Sequence, residues 1–201
     1  MVKVYIASSR EIGTRCKEWA KENICTGFEI TENIDDCEVF VSVLYDKIIK
    51  KEFIKNRRCY NFHPGILPEY RGAGCSSWVI INGEKKSGVT LHLIDEGIDT
   101  GDIIKINKFD IKESDTAYDV NINAIETIFK MFKLNFNIIL KENYLQTKQD
   151  DSCAKTYYRK DLQNLKDITR LIKAFYYPGK EGLYYKNNGT KFYIGENYES
   201  N

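Results

Sequence analysis

An asparagine and a histidine two residues apart are the side chains in this sequence best suited to acid–base chemistry. The chain of 201 residues has only two histidines, and one of them, His63, follows Asn61 at the end of a short strand-like run. Side chains two residues apart on an extended backbone project from the same face. At the carboxyl end of a strand in an α/β sheet, that face opens into the crevice where ligands bind. An amide that donates to an oxygen, beside an imidazole that moves a proton, suits acyl transfer.

An acidic segment farther along the chain can supply a carboxylate to partner this imidazole. It follows the strand predicted at Val89–Asp95 and contains Asp95, Glu96, Asp99 and Asp102. Asp99 lies between two glycines, which allow tight turns. A carboxylate held there could pair with His63, raise its pKa and orient its tautomer. Spacing alone favours structural roles, in which Asn61 caps a strand end and Asp99 forms an Asx turn.

The second histidine, His92, lies within a predicted strand, on the face opposite to its apolar neighbours. This placement indicates a structural, hydrogen-bonded histidine. A metal site formed by His63, His92 and Asp102 would lack the H-x-x-x-H or H-x-E spacing of metal ligands. The six cysteines include no C-x-x-C pair. The sequence therefore predicts no metal.

The elements that would position these side chains follow the strand–helix order of an α/β fold. Runs of β-branched and aromatic residues predict strands at Val2–Ala7, Val39–Leu44, Arg58–Phe62, Val89–Asp95 and Asp102–Ile111. Apolar residues at helical spacing predict helices at Ile12–Asn23, Lys47–Ile54, Cys75–Ile81 and Asp115–Lys141. The segment His63–Gly74 holds two of the three prolines and is predicted to be a loop.

The character of the sequence changes after Tyr144. A polar linker, a helix capped by Asp167 and a hairpin are predicted in turn, at Gln146–Asp151, Asp167–Phe175 and Leu183–Ile194. The dipeptide Asn188-Gly189 is a strong signal for the hairpin turn. We therefore divide the chain into a catalytic domain of residues 1–145, with a shortened N-terminal part, and an extension of residues 146–201.

Composition excludes several classes of function. Thirty Lys and Arg residues against 29 Asp and Glu leave a net charge of +1, which provides no field to hold a polyanion. Arg10 interrupts the first apolar run too early for a signal peptide. No stretch approaches the roughly 18 apolar residues of a membrane span. We expect a cytoplasmic protein with reduced cysteines and with neither a nucleic acid nor a membrane as partner.

Two sequence blocks resemble the folate-dependent formyltransferases. The run Asn-Phe-His-Pro-Gly-Ile-Leu-Pro-Glu-Tyr-Arg-Gly at 61–72 is similar to the signature loop of that family. At the expected distance follow Gly-Val-Thr-Leu-His at 88–92 and Asp-Glu-Gly-Ile-Asp-Thr-Gly-Asp-Ile at 95–103. Matched blocks in the right order are far more specific than a single triplet. The resemblance implies a Rossmann-like α/β sheet flanked by helices, with a small C-terminal helix and β-hairpin.

The resemblance also implies an active site of Asn61, His63 and Asp99, with 10-formyltetrahydrofolate as the formyl donor. Its pteridine would lie in a slot lined by Tyr45, Ile48, Ile94, Asp95 and Gly97. Three residues would line the acceptor side, each equally compatible with a structural role: Tyr70, Arg71 and Trp78. The sequence departs from the family at Gly65, where Ser is frequent. The region before Asn61 is also shorter, so a strand–helix unit is expected to be reduced or absent.

Within the family, the sequence is most similar to the sugar N-formyltransferases. Trp78, the helix end at 171–179 and the run Thr190–Ile194 carry this similarity. The tRNA enzymes continue into an RNA-binding domain, for which no room remains after Asn201. We predict formyl transfer to the primary amine of a nucleotide-linked (dTDP- or GDP-type) deoxy-aminosugar, with the aromatic hairpin as a possible homodimer surface. Methionyl-tRNA formylation and a non-catalytic folate or sugar-nucleotide binding module remain as alternatives.

Overall fold

A mixed sheet organises the part of the chain that the computed structural model describes, namely residues 1–158, 161, 168–180, 182–187 and 190–193. The strands, in chain order, are β1 (Val2–Ala7), β2 (Phe28–Ile30), β3 (Val39–Val43), β4 (Arg58–His63), β5 (Arg71–Gly72), β6 (Lys86–Leu93), β7 (Ile103–Asp110), β8 (Thr156–Tyr157), β9 (Tyr184–Asn187) and β10 (Thr190–Tyr193). The helices are α1 (Ile12–Asn23), α2 (Lys51–Ile54), α3 (Cys75–Asn82), α4 (Ala117–Leu140) and α5 (Ile168–Phe175). Within these described residues, six strands form one sheet in the order β2-β1-β3-β4-β6-β7.

The sheet is parallel on one side and antiparallel on the other. β1 pairs in parallel with β2 and β3, and β3 pairs in parallel with β4. β6 runs antiparallel to both β4 and β7. In the β4–β6 register Asn61 lies opposite His92, and His63 lies opposite Thr90. The predicted α/β sheet flanked by helices is confirmed, and its topology brings the two histidine-bearing strands side by side.

Helices α1 and α4 pack against the sheet because both carry an apolar face. The centre of the α4 face consists of fully buried residues, Ile128, Phe132 and Phe136. The Phe132 ring contacts Phe62 of β4 and Trp19 of α1. This ring therefore links the long helix, the first helix and the strand that ends at His63.

α4 begins where the sequence supplies a capping box. The Thr116 hydroxyl accepts from the Asp119 backbone N–H, while the Asp119 carboxylate accepts from the Thr116 N–H. The helix predicted at Asp115–Lys141 is observed at Ala117–Leu140, so it differs from the prediction only at its ends. Although α4 has 24 residues, no helix in the described part of the chain is long and apolar enough to cross a membrane.

The strand–helix unit before β3 is reduced to short pieces. β2 has three residues, and a three-residue 3-10 helix follows at Ile34–Asp36. β2 was not predicted because three residues, one of them Glu29, are too few to show alternation. The helix predicted at Lys47–Ile54 also shrinks to α2, since Ile48 is 92% exposed and contributes no apolar face.

The segment predicted as a linker is held against the sheet. Thr147 forms an isolated bridge with Ile103, and the Gln149 side chain donates to the carbonyls of Asp99 and Gly101. β8 then pairs in parallel with β5. The polar residues of this segment therefore satisfy backbone groups of the main sheet. The boundary at residues 145 and 146 remains a prediction.

The predicted C-terminal helix and hairpin are present among the described residues. α5 ends at Phe175, before Pro178, and β9 pairs antiparallel with β10. The capping residue Asp167 and the turn Asn188-Gly189 lie outside the described residues.

Replacing Phe132 by alanine should destabilise the protein by about 3–5 kcal/mol, since a fully buried aromatic ring is removed from the junction of α1, α4 and β4. Urea unfolding measured by circular dichroism checks this expectation. Leu134→Ala on the same helix is the control: Leu134 is 71% exposed, so its loss should cost at most about 0.5 kcal/mol. Equal effects of the two substitutions would contradict the assigned core face.

Candidate active site

Asn61, His63 and Asp99 converge at the carboxyl end of β4. Asn61 Nδ2 donates to Asp99 Oδ1 over 3.3 Å, and His63 Nδ1 lies 3.4 Å from Asp99 Oδ2. One carboxylate therefore touches both residues of the β4 end. The structure brings together the three side chains that the sequence singled out for chemistry.

The loop after β6 holds Asp99 in place through its backbone. Asp99 adopts a left-handed conformation with φ of 52°, which aspartate tolerates better than most residues. The neighbouring Gly101 passes so close to β6 that a Cβ there would lie 2.0 Å from the Leu93 carbonyl oxygen. The backbone N–H of Gly72 donates to Asp99 Oδ2 over 2.9 Å. Gly101 thus lets the loop pass close to β6, and this close approach places the Asp99 carboxylate against β4.

His63 and Asp99 form a nearly dry ion pair. Burial lowers the pKa of His63, but the charge of Asp99 and the neighbouring Cys75 outweigh it and raise the pKa to about 9. Burial likewise raises the pKa of Asp99, but the charge of His63 and the Gly72 N–H hold it well below its usual range. At neutral pH the imidazole is therefore a cation. Its Nε2–H donates to the Tyr70 carbonyl over 2.6 Å.

His92 is a fourth member of this cluster, and its side chain is as deeply buried as that of His63. Its Nδ1 lies 2.6 Å from the Leu93 carbonyl, which can only accept, so Nδ1 carries the proton. Nε2 then accepts from Asn61 Nδ2 over 3.1 Å. The sequence interpretation of a hydrogen-bonded structural histidine missed this contact with the site. Only the β4–β6 register, which places Asn61 opposite His92, could have revealed it.

This arrangement engages both amide hydrogens of Asn61. One points to His92 Nε2 and the other to Asp99 Oδ1. A ligand oxygen that takes a hydrogen bond from Asn61 must therefore replace one of these two partners.

A cleft of about 400 Å³ opens in front of this cluster. Asn61, His92 and Asp99 line its inner end, whereas His63 is only 3% exposed and lies behind them. All five residues predicted for the pteridine slot also line the cleft: Tyr45, Ile48, Ile94, Asp95 and Gly97. The cleft thus combines apolar and charged side chains at its mouth with a polar inner end.

The three residues predicted for the acceptor side lie elsewhere. Tyr70 stacks on Tyr157, Trp78 packs against the same ring, and the Arg71 guanidinium bonds Gln149 and Asp151. All three are buried and none lines the cleft. β8 covers them by pairing with β5, a contact between distant segments that local sequence does not show. Their contact with a substrate remains a prediction.

A second and larger cleft, of about 810 Å³, was not anticipated from the sequence. It lies between the start of α1, the outer face of α4 and the end of α5. Its lining includes basic and aromatic side chains, Arg10, Arg15, Lys180, Phe175 and Tyr177. Leu44 lines this cleft and Tyr45 lines the first one, so consecutive residues after β3 border the two. Five separated segments build this cleft, and no local motif marks it.

The His63–Asp99 pair predicts a specific dependence of stability on pH. Folded His63 binds its proton more tightly than the unfolded chain, so its stabilising contribution is complete below about pH 6.5 and disappears as pH rises through about 9. Asp99→Asn should remove this decline, since no carboxylate then holds the proton. Urea unfolding of both proteins across this range measures it. Asp102→Asn, in the same loop, should keep the wild-type decline; its loss there would contradict the assignment.

Comparisons with known proteins agree with this arrangement. The family model for formyl transferases matches residues 17–127. The chain is 32% identical over 169 residues to a methionyl-tRNA formyltransferase of Clostridium tetani, covering 79% of this chain and 54% of that protein. It is 29% identical over 178 residues to a GDP-perosamine N-formyltransferase of Brucella melitensis, covering 83% and 67%. The chain thus spans about half the length of the first of these relatives.

A solved structure resembles the fold closely as well. The N-formyltransferase of Helicobacter canadensis, in complex with folinic acid and dTDP-3-aminofucose, superposes with a TM-score of 0.74 at 27% identity. The match covers 87% of this chain and 81% of that one. With the family model matching more than half of its residues, the chain belongs to the formyl transferase family.

Proposed function

We propose that this protein transfers the formyl group of 10-formyltetrahydrofolate to the primary amine of a nucleotide-linked amino sugar. The observation that carries the proposal is the convergence of Asn61, His63 and Asp99 at the inner end of a cleft, in a chain of the formyl transferase family. The donor and acceptor classes are supported by the Helicobacter canadensis complex and the Brucella melitensis relative.

The volume and the lining residues of the first cleft support the folate as its ligand. A flat heterocycle needs apolar walls, and the partly exposed Tyr45 and Ile94 provide them at the mouth. Asp95 and the backbone around Gly97 offer polar groups at the rim. When bound, the folate supplies an electrophilic formyl carbon. The residues of the cleft would hold that carbon beside Asn61 and Asp99.

Asn61 and Asp99 act on opposite partners of the reaction. As the amine attacks, negative charge develops on the formyl oxygen, and the Asn61 amide stabilises it after releasing one of its present acceptors. A donor of this kind is typically worth about 3 kcal/mol of barrier. The Asp99 carboxylate is ionised at neutral pH and lines the cleft, so it orients the attacking amine. The amine proton passes through this carboxylate to the folate nitrogen, which leaves with it as its bond to the formyl carbon breaks.

His63 acts as a cation in this scheme. With its pKa raised to about 9, it holds a proton at neutral pH and is not available as a base. Its charge, directly behind Asp99, fixes the carboxylate and favours negative charge in the cleft. A direct hydrogen bond from His63 to the formyl oxygen remains a prediction.

The second cleft supports an acceptor larger than a simple amine. The aromatic side chains of Phe175 and Tyr177 offer a stacking surface for a base, and the cations of Arg10 and Lys180 suit a diphosphate. Because Leu44 and Tyr45 border the two clefts, a nucleotide in the second could extend its sugar toward the first. The dTDP- or GDP-type carrier is part of the proposal.

Methionyl-tRNA formylation is the second candidate, favoured by the 32% identity with the Clostridium tetani enzyme. The net charge of +1 does not favour a polyanionic acceptor. A formyl-transfer assay with dTDP- and GDP-linked amino sugars, run beside methionyl-tRNA, separates the two. Efficient transfer to a nucleotide sugar supports the proposal. Transfer to tRNA alone would replace it, and folate binding without any transfer would indicate a non-catalytic module.

Asp99→Asn should lower kcat at least about 100-fold, since it removes the proton acceptor and the counter-ion of His63. Steady-state assays with saturating folate and acceptor measure this loss. Asp102→Asn is the matched control, because Asp102 bonds Gln146 instead of the cluster. Full activity of the Asp99 variant would remove Asp99 from the mechanism.

Arg10→Ala and Lys180→Ala should each raise the KM for the nucleotide sugar about five- to tenfold and leave the KM for folate unchanged, since each loses a phosphate contact. Initial-rate measurements with one substrate varied at a time test this. Lys105→Ala removes an exposed cation of β7 and serves as the charge control. An unchanged acceptor KM in both cleft variants would place the nucleotide elsewhere.

A further inference from the structure

A thiol lies against the imidazole of His63 on the side away from Asp99. Cys75 is the first residue of α3 and is 2% exposed. Its Sγ lies 3.5 Å from His63 Nε2, whereas Asp99 meets the ring at Nδ1. The proposed chemistry assigns no role to this thiol, although it contacts the cation on which that chemistry depends.

The space that this ring occupies exists because residue 65 has no side chain. A Cβ at Gly65 would lie 2.7 Å from His63 Nε2 and 2.8 Å from the Tyr70 carbonyl oxygen. Those two atoms form the hydrogen bond that directs Nε2 into the protein. Any larger residue at this position would have to displace the ring or the carbonyl. The inward orientation of His63 therefore requires glycine here.

We propose that Cys75 and Gly65 are positioning residues that hold the His63 imidazole inward, as a fixed cation behind Asp99. Cys75 provides a sulfur acceptor beside Nε2–H, and Gly65 provides the room. This inference rests on the proposed function for its catalytic meaning, but the ring geometry on which it stands is independent of any substrate.

The titratable groups around the ring make the role of the thiol measurable. Asp99 from the loop after β6, Cys75 from α3 and His92 from β6 face His63. Asp99 and Cys75 favour the imidazolium. Sulfur is a weak acceptor, so its removal should lower the pKa of His63 modestly while Asp99 keeps the ion pair.

The test is an NMR titration of the His63 ring in variants of Cys75. Because the chain has only two histidines, two ring signals appear, and His92→Asn assigns them. Cys75→Ala and Cys75→Val should each move the titration midpoint of His63 to lower pH, by about 0.5 pH unit or more. Cys75→Ser, which keeps an acceptor, should recover part of the change. Cys16→Ala, which removes another buried helical thiol, should leave the midpoint in place.

Activity provides a second readout. In the Cys75 variants the alkaline limb of the kcat–pH profile should move to lower pH, together with the titration midpoint of His63. The KM values for folate and acceptor should not change, since neither Cys75 nor Gly65 lines a cleft. A merely structural role would change stability or KM without moving the limb.

Gly65→Ala tests the space itself. It should shift the His63 ring signals at neutral pH as the Nε2 contact with the Tyr70 carbonyl is lost. An unchanged His63 titration in both Cys75→Ala and Cys75→Val would overturn the role of the thiol, and unchanged ring signals in Gly65→Ala would overturn the role of the glycine. If the titration moves but no amine is formylated, the positioning stands and the proposed function fails.

Discussion

The buried ion pair between His63 and Asp99 is the interaction on which the site depends. Two opposite charges in a nearly dry environment persist only if each is also satisfied by hydrogen bonds. The Gly72 N–H and the Asn61 amide donate hydrogen bonds to the Asp99 carboxylate. The Tyr70 carbonyl accepts a hydrogen bond from the His63 ring. The loop after β4 and the loop after β6 are thereby tied to each other through one carboxylate.

The fold supplies this pair by reversing the strand direction at one point. β4 follows the parallel strands and delivers its end to the ligand edge of the sheet, while β6 runs antiparallel beside it. The chain leaving β6 passes Cys59 at the start of β4 and then turns back, so that Asp99 reaches Asn61 and His63. A wholly parallel sheet would require a long crossover at this position. The hydrophobic core that packs against both strands is centred on Phe62 and Phe132 and lies next to the same edge of the sheet.

Part of this arrangement could be predicted from short segments of the sequence. The spacing of Asn61 and His63 and the position of Asp99 between glycines made these residues candidates, although spacing alone favoured structural roles. The resemblance to the folate-dependent formyltransferases predicted that the three form one site. The pteridine slot was predicted from the same resemblance. In contrast, the contact of His92 with Asn61 depends on strand register, which alternation does not specify. The burial of Arg71 depends on Gln149 and Asp151, about 80 residues away in sequence. The second cleft depends on five separated segments.

The central claim is that His63 is a cation at neutral pH because Asp99 is ionised beside it. The ¹⁵N chemical shifts of the His63 ring, followed through a pH titration of the wild-type protein, test this most directly. Both ring nitrogens should carry a proton at pH 7, and the titration midpoint should lie at about 9. A neutral His63 ring at pH 7, with a midpoint at or below the ordinary value of 6.5, would contradict it.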